Sequence, residues 1–173
     1  MLSMCEAVSR GVAKKIYDAS VEMNAKSIIF ISINDMEDGY NLPAKHNVLS
    51  LKFSDITPVS IYKHGLFSEN IRAMTGTHAK QILEFLDSYH EKEEEYYLIV
   101  HCAAGICRSG AISEFVYNAY GICERETNWH NKNKHIMPNH WVQNVLYNLW
   151  NERKEDAQKT NYYQRDSGIG KEY

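Results

Sequence analysis

His101-Cys102-Ala103-Ala104-Gly105-Ile106-Cys107-Arg108-Ser109-Gly110 is the stretch that decides how the chain is read. Ahead of it, the apolar run 96–100 (YYLIV) predicts a buried strand. Behind it, Ile112, Phe115, Val116 and Ala119 recur at helical spacing and predict a helix over 111–120. A strand, a short loop of small residues and a helix N-terminus together make an anion site. The loop N–H groups converge, and the helix dipole adds partial positive charge.

Cysteine opens this loop and arginine closes it. A thiol is nucleophilic as thiolate, and converging N–H groups, Arg108 and a helix N-terminus all favour the anion over the neutral form. Ser109 can donate a hydroxyl hydrogen bond to the same sulfur. Arg108 offers a planar fork that matches two phosphate oxygens. With five residues between Cys102 and Arg108, the loop can wrap a tetrahedral anion with sulfur beneath it. The wrapping residues are Ala103, Ala104, Gly105, Ile106, Cys107 and Arg108. That arrangement suits in-line attack on phosphorus and a phosphocysteine intermediate that water then hydrolyses.

The match of His101, Cys102, Gly105, Arg108, Ser109 and Gly110 to HCxxGxxR followed by Ser or Thr and Gly resembles the signature of the cysteine-dependent protein tyrosine phosphatases. The resemblance implies Cys102 as nucleophile, Arg108 as phosphate and transition-state clamp, His101 as tuner of the cysteine and Ser109 as an aid to thiolate departure. Cys107 departs from the pattern, where a small polar residue is more usual. Its thiol either fills space or forms a reversible disulfide with Cys102 under oxidation.

A chain of 173 residues, 44% hydrophobic and 24% charged, reads as one globular domain with a sizeable core. Its net charge of -3 gives no general reason to expect nucleic-acid or membrane partners. Cys5, Cys102, Cys107 and Cys123 lack zinc-ligand spacing, and a catalytic thiol suits a reducing compartment. No run is long enough to span a bilayer, and no basic region precedes an apolar one at the start of the chain. A cytoplasmic location is the expectation, with no cofactor and no metal.

Other elements are expected around the signature. A short amphipathic helix is predicted over 7–17, and 27–33 (SIIFISI) reads as a central strand. The acidic turn 34–39 that follows reads as solvated rather than metal-binding. A second strand over 47–53 ends at Ser54-Asp55-Ile56-Thr57-Pro58. By the resemblance, an aspartate opening a Pro-containing loop at a strand end is the general acid, which makes Asp55 the candidate. The plainer alternative is an aspartate capping a turn; Glu69 and Asp87 are competing acids, but Asp87 falls within a predicted helix and is a poor candidate. The segment 60–77 suggests a lid, with Tyr62, His64 and Phe67 near an aromatic phosphoester or packed beneath a loop.

Thr77 is a plausible cap for a helix with the stripe Ala79, Ile82, Leu83 and Leu86. The stretch 127–140 looks loop-like. Its His130, His135 and His140, evenly five apart, do not share one helical face, so a metal site is not expected there. A helix over 141–150 is preceded by Pro138-Asn139, and the resemblance implies that Asn139 braces the active-site loop; the plainer alternative is an ordinary helix N-cap. The boundary of the catalytic domain is set at 1–150, with 151–173 a polar tail whose final dozen residues are expected to be mobile.

Strands alternating with helices predict a three-layer α/β sandwich with a phosphatase-like central sheet flanked by helices. The expected activity is metal-independent phosphomonoester hydrolysis, most directly of phosphotyrosine in a phosphorylated protein. Dual-specificity and nucleic-acid 5′-phosphatase activity are alternatives, followed by a rhodanese-like loop and a non-catalytic phosphoprotein-binding module. Ala103, Ala104 and Ile106 bring no basic side chain, which argues against an inositol phospholipid specialist.

Overall fold

The computed structural model describes residues 1–43, 45, 47–56, 67–68, 71–122 and 128–166. In chain order the elements are β1 (Leu2–Ser9), α1 (Arg10–Glu22), β2 (Ile28–Asn34), β3 (Val48–Lys52), β4 (Phe67–Ser68), β5 (Ile71–Arg72), α2 (Gly76–His90), β6 (Tyr96–Cys102), α3 (Arg108–Ala119), α4 (Trp129–Lys132) and α5 (His140–Asp166). Four strands form one sheet in the order β1-β6-β2-β3. Every pair in it is parallel.

β2 and β6 are apolar on both faces because helices cover both faces of the sheet. On one side Ile29, Ile31, Leu98 and Val100 pack with Ile82 and Leu86 of α2, Ile112 and Phe115 of α3, and Val142 and Leu146 of α5. On the other, Phe30, Ile99 and Val8 meet Ala13 and Tyr17 of α1. The result is a mixed α/β architecture in three layers, as the alternation of elements predicts. No helix among the described residues is long and apolar enough to cross a membrane.

Several expectations are corrected. The helix expected over 7–17 divides at Ser9: Ala7 and Val8 belong to β1, which pairs with β6 from Leu2 to Ser9. The helix begins at Arg10, where Ser9 Oγ accepts the Val12 N–H at 3.4 Å. The second helix is capped at Thr75 rather than Thr77, and the Thr75 N–H donates to His78 Nδ1 at 3.0 Å. The helix expected over 141–150 runs on to Asp166. Asp87 lies on α2, away from the loop, where it accepts from Tyr120 Oη at 2.7 Å and Arg153 Nη1 at 3.0 Å. Cys123, Tyr62, His64, Glu69 and residues 167–173 lie outside the described residues.

The stretch 127–140 is not simply a loop. It contains α4, whose Trp129 is 1% exposed and stacks on Tyr117 with centroids 4.4 Å apart. Trp129 Nε1 also donates to Cys5 Sγ at 3.1 Å. Its three histidines go to separate partners. His130 packs edge-on against Tyr117 and Trp129, His135 Nε2 lies 3.0 Å from the Ala7 carbonyl, and His140 Nδ1 lies 3.2 Å from Gln143 Oε1.

Trp129 thus ties α4 to β1 and α3. Replacing it with Ala should destabilise the fold by about 3–5 kcal/mol, since a large buried ring is exchanged for a cavity. Urea denaturation measures that loss, and a change below about 1 kcal/mol would remove Trp129 from the core account.

Candidate active site

Cys102 is the last residue of β6, and the loop 103–107 leads directly into α3. Gly105 takes a φ of +79°, in the left-handed region. A Cβ there would lie 2.3 Å from the Val8 carbonyl carbon and 2.4 Å from the Ser9 nitrogen, so the loop folds tightly onto the end of β1. From outside, the Arg10 N–H donates to the Ala103 carbonyl at 3.3 Å and the Met137 N–H to the Ile106 carbonyl at 3.2 Å. The Asn139 N–H reaches the Cys107 carbonyl at 3.1 Å. Gly110 approaches Ile136 closely, where an added Cβ would sit 2.9 Å from the Ile136 Cβ. Ala103 and Ala104 are exposed at the loop's rim.

The Cys102 sulfur is buried at the base of the loop and lies 3.3 Å from Ser109 Oγ. Burial alone pushes its pKa up. The Ser109 hydroxyl, the Ser109 and Gly105 N–H groups and the Arg108 charge together outweigh burial and hold the thiol below its ordinary value. Cys107 goes the other way: burial, then the neighbouring Asp55 carboxylate, raise it. The two thiols of one loop are therefore tuned apart. Cys102 and Cys107 are free thiols rather than a disulfide pair.

His101 faces the opposite side of the sheet from Cys102, fully buried and edge-on to Tyr40 at 6.2 Å. Burial brings its pKa down to about 4, with the Cys102 backbone opposing and the Arg10 charge adding. The imidazole is neutral at physiological pH.

Arg108 opens α3 and is 3% exposed. Its Nη1 donates to the Phe53 carbonyl at 2.7 Å and to Asp35 Oδ1 at 2.9 Å, and its Nη2 donates to Asp35 Oδ2 at 3.0 Å. Asp35 follows β2 in the acidic turn that reads from the sequence as solvated, and its pairing with Arg108 is a contact the sequence reading missed. The same turn carries Asp38, which pairs with Arg10 and is held below the ordinary carboxylate range chiefly by that hydrogen bond. Both carboxylates are thus ion-paired, which corrects the solvated reading. The available signal was position alone: this turn leaves the C-terminal end of a central strand, where ligands of parallel sheets bind.

Asp55 lies three residues beyond β3 and is exposed. Its Oδ1 accepts from Asn139 Nδ2 at 2.6 Å, and it is close enough to Cys107 to hydrogen-bond the thiol. Asn139 also donates to the Ile56 carbonyl at 2.8 Å, while its Oδ1 caps α5 by accepting the Trp141 and Val142 N–H groups at 2.9 and 3.2 Å. One side chain therefore joins the Cys102–Arg108 segment, the Asp55 loop and the last helix. The structure brings together Cys102, Arg108, Ser109, Asp55 and Asn139 around the loop, with His101 behind it.

No family model matches the sequence, and no curated protein does. Among solved structures the chain is similar to one described as "Crystal structure of Tk-PTP in the active form". The identity is 16%, with 76% of this chain and 84% of that chain covered and a TM-score of 0.43. A likeness of that degree assigns neither residues nor activity, so the site rests on its own geometry.

Iodoacetate at neutral pH should label Cys102 ahead of Cys107, and Ser109→Ala should slow Cys102 labelling several-fold by removing one hydrogen bond to the thiolate. Peptide mass spectrometry reads both rates; faster labelling of Cys107 would contradict the tuning. For His101, the unfolded imidazole takes up its proton near 6.5 and the folded one near 4. Between those values the unfolded state holds more protons, so stability should fall as pH drops from about 6.5 to about 4, by up to about 3 kcal/mol. Denaturation series at several pH values check this, and His101→Gln should flatten the slope.

Proposed function

We propose that this chain is a metal-independent phosphomonoester hydrolase working through a phosphocysteine, and that its substrate is phosphotyrosine in a protein. One observation carries the reading: a buried cysteine whose sulfur receives a hydroxyl and two backbone N–H groups, in the same loop as a buried arginine. Those groups stabilise a thiolate beneath a cradle sized for a tetrahedral anion.

In the first step the Cys102 thiolate attacks phosphorus in line with the ester oxygen. The S–P bond forms, the P–O bond breaks, and Asp55 gives its proton to the leaving oxygen. In the second step water attacks the phosphocysteine. Asp55, now ionised, takes a proton from that water, the S–P bond breaks, and Ser109 donates a hydrogen bond to the departing thiolate. Arg108 and the loop N–H groups hold the equatorial oxygens throughout. Asn139 supports the acid by fixing the Asp55 carboxylate at 2.6 Å. Neutral His101 packs behind the nucleophile and adds no competing charge.

The preference for an aryl ester rests on the loop's rim, where Ala103 and Ala104 are exposed and Met137 is 73% exposed. That apolar rim suits an aromatic ring better than a charged second phosphate or a nucleic-acid strand. A reducing, cytoplasmic setting suits the free thiols of Cys102 and Cys107, the first of them the nucleophile.

Steady-state and single-turnover kinetics on aryl phosphates test the reading. Cys102→Ser should abolish turnover while phosphate binding persists; wild-type turnover by that variant would end the proposal. Asp55→Asn should slow poor leaving groups by about 10²-fold or more and good ones far less. Equal slowing of both would take the acid role from Asp55. Phosphate binding by the wild-type chain without any turnover would favour the non-catalytic binding module instead.

A further inference from the structure

The face that α1 turns to the sheet is narrow: its buried residues are Ala13, Tyr17 and Ser20. A second row runs beside them. Val12, Ile16, Ala19 and Met23 follow one another at intervals of four, three and four residues, which keeps them in line along one side of a helix. Met23 is the C-cap and keeps helical backbone angles, so the row continues through it. Val12 is 46% exposed and Met23 72%, Ala19 is exposed, and Ile16 is half-buried. An apolar seam of this spacing on the outside of a helix is the pattern by which helices pair.

The charges of α1 are ordered with respect to that seam. Lys14 and Asp18 pair with each other at 2.6 Å further round the helix. Lys15 and Glu22 border the seam on its side away from the sheet, directly ahead of Ile16 and Met23. Both are exposed, and neither has an ion-pair partner among the described residues. Set two such helices antiparallel about a two-fold axis. Val12 then meets Met23 of the partner subunit, and Ile16 meets Ala19 of the partner subunit, large against small. In the same register Lys15 comes opposite Glu22 of the partner subunit, and symmetry repeats the pair. A parallel arrangement sets Met23 on its own copy and gives Lys15 no opposite charge, so the seam is self-complementary in one direction only.

We propose that α1 is a self-association surface: two copies of this chain pair antiparallel through Val12, Ile16, Ala19 and Met23, with Lys15 and Glu22 closing two ion pairs across the two-fold axis. The proposal is independent of the phosphatase reading. A helix of 13 residues spans about 20 Å, so the interface is small and the dimer exchanges with monomer. The start of α1 adjoins the loop 103–107, where the Arg10 N–H donates to the Ala103 carbonyl. Antiparallel pairing therefore sends the two loops to opposite ends of the dimer.

Sedimentation velocity of the full chain between about 1 and 100 µM should show a reversible monomer–dimer equilibrium, as a small interface gives. Lys15→Glu and Glu22→Lys each turn two attractions into two repulsions and should each weaken the dimer about tenfold. The double variant Lys15→Glu/Glu22→Lys restores opposite charges across the axis and should return the dissociation constant to within about twofold of wild type. Met23→Asp, a change at an exposed position, should leave the chain monomeric throughout. Thermal melts confirm that each variant is folded. A wild-type chain that stays monomeric over the whole range overturns the proposal. A dimer that survives Met23→Asp also overturns it, because the contact then lies on another face. Failure of the double variant to restore what the single variants lose rules out the antiparallel register, and the proposal with it.

Discussion

β6 lies between β1 and β2, and the parallel pairing on both its edges fixes which way each of its side chains turns. Val100 is registered against Ala7 and Ile31, His101 against Val8 and Ser32, and Cys102 against Ser9. Leu98, Val100 and Cys102 consequently share the side of α2, α3 and α5, while Ile99 and His101 share the side of α1. A slip of one residue would exchange the two sets. The thiol would then turn toward α1 and away from Ser109, and an imidazole would enter the larger core. The position of the Cys102 thiol is thus a consequence of sheet register, enforced by every apolar side chain along the strand.

The other strands supply what β6 lacks, each at its C-terminal end. β1 delivers Ser9 and Arg10, against which the loop folds. β2 delivers Asp35 and Asp38, and β3 delivers the Phe53 carbonyl and Asp55. A buried guanidinium is tolerable only with such partners. Taking the charge out of water costs several kcal/mol, and a bidentate carboxylate with a backbone carbonyl offsets part of that. The Asp35 side chain retains 41% exposure, so its charge is partly solvated while that of Arg108 is not.

How much of this the sequence discloses depends on the range of the interaction. The signature, its strand and its helix are local patterns, and 101–110 can be read directly. The two apolar strands are equally plain, because burial on both faces leaves almost no polar residue in them. β1 is hidden because the strand passes into α1 at Ser9 without a break, and a single window over 7–17 mixes two periods. Trp129 sits among polar residues with no periodicity to flag it. Asp35 lies 73 residues from Arg108, and nothing local separates a carboxylate that grips an arginine from one that faces water. Asn139 is legible locally as a helix cap, which it is, but its bond to Asp55 has no local signal.

The outside of the loop between Cys102 and Arg108 carries a further consequence. The carbonyls of Ala103, Ile106 and Cys107 accept hydrogen bonds from Arg10, Met137 and Asn139, which come from two segments remote in sequence. These bonds fix three peptides of the loop segment with their oxygens outward, while the Gly105 and Ser109 N–H groups of other peptides turn toward the sulfur. The cradle thereby acquires a fixed polarity of its own, separate from the single full charge on Arg108. Peptide dipoles do not titrate and do not swing away as a side chain does. Part of the field at Cys102 is therefore written into the backbone, beside the Ser109 hydroxyl, and it stands ready before any substrate arrives.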